Sequence, residues 1–94
     1  MSRYTLTLSL PERLTLNETQ RVLSLLDREA ALHPDAYIVL DAASLTVFDS
    51  SALALLLELR RRQGAGGRTL RVSGWPSRLH QWAQLYGVRG LLAT

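Results

Sequence analysis

The amino-acid sequence predicts an α/β domain built on a mainly parallel β-sheet covered by α-helices. Residues 4–10 place Tyr4, Leu6, Leu8 and Leu10 at every second position, the period of a half-buried strand. Strand-type and helix-type segments then alternate along the chain with short connections, a pattern that requires parallel crossovers. Finally, 94 residues with 47% hydrophobic content suffice for one core without covalent staples. The expected unit is a single domain over residues 1–94, its core spanning about 4–92.

Each element follows from a local signal. Pro11 ends the first strand by removing a ladder donor. Asn17, with Gln20 three residues on, resembles the start of a helix that runs to about Leu32. Within it Val22, Leu23, Leu25, Leu26 and Ala30 recur at three- and four-residue spacings, with Arg21, Asp27, Arg28 and Glu29 between them. His33-Pro34-Asp35 breaks the helix, and Tyr37-Ile38-Val39-Leu40 is a continuous apolar run, as expected of a central strand buried on both faces. After a loop through Ala42-Ala43-Ser44, a second helix is expected over residues 50–63, ended by Gly64-Ala65-Gly66-Gly67. Residues 69–73 alternate again as a strand. Pro76 then suits the first turn of a third helix, in which Leu79, Trp82, Ala83 and Tyr86 form one stripe before Gly87. Residues 88–92 close the domain.

Composition excludes several classes of function. The chain has no cysteine, so disulfides and thiolate metal sites are ruled out. Its 11 basic residues, all arginine, exceed the 8 acidic ones by only three, and no basic face interleaved with aromatics marks a nucleic-acid footprint. Arg60-Arg61-Arg62 fall where cations offset the carbonyls at a helix C-terminus. The longest apolar run, Ala52 to Leu57, is far short of the roughly 20 residues that cross a bilayer, and residues 1–10 lack the pattern of an export signal. A cytoplasmic protein without direct membrane insertion is the expectation. His33 and His80 are isolated, so no metal is expected. Ser50, His80 and an Asp lack the G-x-S-x-G elbow of a hydrolase, and Gly64 to Gly67 lacks the Lys-Ser/Thr of a P-loop. No catalytic residue and no cofactor is expected.

The informative segment is Leu45-Thr46-Val47-Phe48-Asp49-Ser50-Ser51-Ala52-Leu53. It resembles the signature of STAS domains, in which an apolar stretch leads to Asp-Ser-Ser/Thr-Gly-Leu at a helix N-terminus; Ala52 replaces the usual Gly. The Ile38-Val39-Leu40-Asp41 strand, the Gly-rich turn and Leu70-Arg71-Val72 also fall in family order. Residues 52–59, Gln63-Gly64 and Leu85-Tyr86-Gly87-Val88 are similar to the MlaB-type branch, whose members serve the Mla phospholipid-transporting ABC system. That resemblance implies a non-enzymatic accessory subunit bound to the ATPase (MlaF-type) subunit and, through it, to the membrane permease, at the inner face of the inner membrane. STAS domains usually open with a β-hairpin; one strand precedes the first helix here, so the hairpin is expected to be shortened, its edge strand missing or supplied by a neighbour.

Among anti-sigma-factor antagonists of the family, the hydroxyl residue after the Asp is phosphorylated, and that position is Ser50. The resemblance therefore also implies an alternative: an antagonist switched at Ser50 by an anti-sigma-factor kinase. Read from the residues alone, Asp49 and Ser50 make an ordinary N-cap. On the second helix, Ala52, Leu53, Leu56 and Leu59 cluster on one side at about 100° per residue, while Ala54 and Leu57 point away. Asp49, Ser50, Ser51, Ala54 and Leu57, extended by Trp75, are the candidate partner-binding residues. Packing of Ala54 and Leu57 against neighbouring helices is the competing expectation.

Overall fold

The computed structural model describes residues 4–65 and 68–87. In chain order they form β1 (Thr5–Ser9), β2 (Arg13–Leu14), α1 (Thr19–Leu32), β3 (Tyr37–Asp41), β4 (Val47–Phe48), α2 (Ser50–Ala65), β5 (Leu70–Ser73) and α3 (Ser77–Leu85). The expected closing segment, 88–92, lies outside the described residues.

The α/β architecture is as the periodicity predicts. β1, β3 and β5 form a parallel sheet in that order, with Thr5 opposite Tyr37 and Ile38 opposite Leu70. β2 and β4 form a separate parallel ladder, Arg13 against Val47 and Leu14 against Phe48. The N-terminal hairpin is thus reduced to a two-residue strand that pairs with β4 instead of β1. Pro11 lies between the two: Leu10 still donates to the Asp41 carbonyl at 2.9 Å, and beyond the proline the Glu12 carbonyl accepts from Thr46 and Val47 N–H.

Strand order decides where the helices lie. In the sequence β1-β3-β5 every crossover steps the same way, and right-handed crossovers then put α1 and α2 on the same side of the sheet, where they pack against each other. The buried core lies between: Leu8, Ile38, Leu40, Leu70 and Val72 from the sheet meet Val22, Leu26 and Ala30 of α1 and Ala52, Leu53, Leu55, Leu56 and Leu59 of α2. The opposite sheet face, with Thr5, Thr7, Tyr37, Arg71 and Ser73, is exposed. This corrects the expectation that β3 is buried on both faces. Ile38 and Leu40 are buried, whereas Tyr37 is exposed and Val39 half-buried. A continuous apolar run does not require two covered faces when every crossover winds the same way.

Three boundaries also differ from the sequence reading. Asn17 does not cap α1. The turn into it is built by Thr15 and Glu18: the Thr15 N–H and hydroxyl both donate to Glu18 Oε1, at 2.9 and 2.6 Å, and the Thr15 carbonyl accepts from Glu18 and Thr19 N–H. A threonine and a glutamate three residues apart satisfy these donors better than Asn17 and Gln20 do. α2 continues two residues past the expected end, through Gly64 and Ala65. α3 starts after Pro76, which keeps φ −59° and ψ 139°, and ends at Leu85, leaving Tyr86 exposed outside the stripe. Leu79 and Ala83 are buried, and Trp82 meets Phe48 edge-on at 5.6 Å between ring centroids. The turn after β5 needs a glycine: Gly74 has φ +68°, and a Cβ there would lie 3.0 Å from the Ala43 nitrogen and 3.1 Å from Asp41 Oδ1.

Candidate functional site

The candidate site is assembled at the N-terminus of α2 by the β4–α2 junction. Asp49 immediately precedes the helix, and its carboxylate oxygens serve different elements. Oδ1 accepts from Ser51 N–H at 2.9 Å, satisfying a first-turn donor that has no partner within the helix. Oδ2 accepts from Leu16 N–H at 3.1 Å and so pins the loop between β2 and α1. Donation from Leu16, opposed by partial desolvation and reinforced by Ser51, holds the Asp49 carboxyl below its ordinary value. The positive end of α2 is therefore met by a carboxylate of the chain itself. Ser50, the first residue of the helix, is exposed beside this clamp, and Ser51 is half-buried.

Beside Ser51 a groove of about 300 Å³ opens between α1 and α2. Leu23, Ala54 and Leu55 line it, Leu16 stands at its mouth, and Glu58 marks its far end. Leu16 is 74% exposed although its backbone is held by Asp49. Beyond Glu58 the two helices are tied by Arg62, which contacts Glu58 at 2.9 Å and Asp27 at 3.0 Å. Arg61 also chelates Glu58, and the two guanidiniums lower its pKa to about 2.

Asp49, Ser50, Ser51 and Ala54 thus share the N-terminal half of α2 with the Leu16 loop. Ala54 is exposed on the groove, whereas Leu57 is half-buried and packs against the core. Trp75 also packs on the core: its indole N–H donates to the Val72 carbonyl at 3.1 Å, and its ring meets His80 edge-on at 5.7 Å. Neither Leu16 nor Leu23 was marked as a site residue by the sequence, in which Leu23 reads only as part of the apolar stripe of α1. Leu16 is a lone apolar residue between a short strand and a helix start, and only the hydrogen bond to Asp49 shows that it belongs to the α2 junction.

The arrangement suits recognition of another surface. A rigid helix start carries an accessible hydroxyl next to a fixed carboxylate, with an apolar groove alongside. A phosphate or acidic side chain at Ser50 would add negative charge beside Asp49 and oppose the approach of an apolar or acidic partner. His33 hydrogen-bonds Tyr4 Oη at 2.6 Å. Among the described residues no group of three His, Cys, Asp or Glu is placed to hold a metal, and no helix is long and apolar enough to cross a membrane.

A family profile described as "Mlab, STAS domain" matches residues 1–93 of the chain. No curated protein matches it.

Proposed function

Since the chain belongs to the STAS-domain family, a family of protein-interaction modules, we propose that it is a non-enzymatic accessory subunit that binds the ATPase subunit of a bacterial Mla-type phospholipid ABC transporter. In this role it sits in the cytoplasm at the inner face of the inner membrane, reaches the permease only through the ATPase, and regulates or stabilises that subunit in maintaining lipid asymmetry. The family profile's description supports the choice of system. The observation that carries the docking site is the surface formed by exposed Ser50 and Ala54, the Asp49 clamp and exposed Leu16 along the α1–α2 groove. A segment of the ATPase inserts an apolar side chain between Leu16 and Ala54, and polar contacts to Ser50 and Ser51 fix its register.

Size-exclusion of the purified chain with an Mla-type ATPase subunit tests this reading. Co-elution, lost on Ser50→Glu and kept on Ser50→Ala, is expected; an ATPase that elutes alone overturns it. If the chain binds an anti-sigma-factor kinase instead and is phosphorylated at Ser50, the antagonist reading replaces it.

A further inference from the structure

The opposite end of α2, about 24 Å along a 16-residue helix from Ser50, carries a second feature that the docking surface does not use. A cavity of about 900 Å³ opens where the C-terminal turns of α2 meet the first residues of the strands. Arg60, Arg61, Arg68 and Arg71 line it together with Ile38, Val39 and Leu70 at the strand starts, and none of its described lining residues is acidic.

Three different elements supply these guanidiniums: α2, the segment entering β5, and the open face of β5 itself. Arg61 and Arg68 are held from behind. Glu58 grips Arg61 through Nε and Nη2, and the Ala30 carbonyl at the end of α1 accepts from Arg68 Nη1 at 3.0 Å. Each retains N–H donors beyond those bonds. Arg71 projects from an exposed position of an edge strand. Glu58 accounts for the placement of Arg61 and the C-terminus of α1 for that of Arg68, but neither accounts for Arg71. Guanidiniums from three segments that converge on one concavity favour the entry of an anion. The volume lies within the range of small-molecule sites, and pre-held guanidiniums lose little freedom on binding.

We propose that this cavity binds a phosphate-bearing anion, its charge met by arginines that line the cavity. Arginine is the side chain suited to such recognition because its planar fork matches phosphate oxygens in pairs. The source is either a soluble phosphate compound or the headgroup of an anionic lipid.

The 94-residue chain is titrated with tripolyphosphate and, separately, assayed for flotation with phosphatidylglycerol vesicles against phosphatidylcholine vesicles. Arg71→Gln and Arg68→Gln are compared with Arg21→Gln, an exposed arginine near the start of α1. The expected result is saturable binding of one probe, weakened about fivefold to tenfold by Arg71→Gln and by Arg68→Gln and unchanged by Arg21→Gln; the probe that binds identifies the source. Arg71→Gln removes no bond among the described residues, so its effect reads binding even if loss of the Arg68 to Ala30 contact alters the fold. Absence of saturable binding to both probes, or equal weakening by Arg21→Gln, overturns the proposal.

Discussion

Substituting aspartate at two neighbouring positions of α2 separates docking from folding. Ala54 is exposed on the groove and Leu57 is half-buried against the core. In Ala54→Asp no buried area is lost, and the helix-propensity difference is about 0.6 kcal/mol, partly offset because an acid near the helix N-terminus is favoured. At about 4–8 °C per kcal/mol for a domain of this size, Tm falls by less than about 5 °C. Leu57→Asp loses about half of a leucine's burial, ~1 kcal/mol, and partly desolvates a polar group at a further cost of ~1–2 kcal/mol. Its Tm falls by about 10–20 °C. Binding to the ATPase subunit behaves differently. A charge at Ala54 faces an apolar anchor without a counter-ion, and affinity drops by about 30-fold or more, equivalent to ~2 kcal/mol. Thermal melting by circular dichroism and calorimetric titration with the ATPase subunit read the two effects separately. If Ala54→Asp melts as early as Leu57→Asp, the placement of these side chains is wrong. If Ala54→Asp binds as tightly as the native chain, the groove is not the docking surface.

The remaining predictions concern the helix start and one turn. Asp49 has a lowered folded pKa, so its contribution to stability is fully present above the unfolded value of 3.8 and is lost as pH falls through the folded value; Asp49→Asn flattens the acid limb of stability against pH, and an unchanged limb in urea unfolding would refute the clamp. Ser50→Ala leaves the free domain's Tm within about 5 °C, because Ser50 is exposed and Asp49 supplies the cap; a variant that cannot fold would make the site structural. Gly74→Ala destabilises by about 1–3 kcal/mol, from the left-handed φ together with the 3.0 Å approach to Ala43, and equal chemical-unfolding midpoints for the two proteins would contradict that geometry.

Much of the fold was legible because periodicity records burial directly. Leu8, Val72, Leu79 and Ala83 were placed by spacing alone, and each is buried. The open sheet face was not legible. Ile38 and Val39 are equally apolar, and only the strand order, a long-range property, leaves one covered and the other half-exposed. At the candidate site, the Asp-Ser-Ser pattern at a helix start marked Asp49, Ser50 and Ser51 as one group, and the helical wheel turned Ala54 outward. The wheel also turned Leu57 outward, yet it packs against the core, since an angle does not say what lies beside a helix. The bond from Leu16 to Asp49 joins residues 33 positions apart, and no local pattern encodes it. The arginine cavity is similarly distributed: Arg60 and Arg61 read as cations at the end of a helix until β5 brings Arg71 to the same concavity.

The central claim is that the N-terminal surface of α2 holds an ABC-transporter ATPase subunit. Its most direct measurement is hydrogen–deuterium exchange of the chain with and without a purified Mla-type ATPase subunit. Protection on binding is predicted in the peptides that carry Leu16, Leu23 and residues 50–54, with none gained across β5. A complex that protects the open sheet face and leaves the α2 start unchanged, or no protection anywhere at saturating ATPase, would contradict the account.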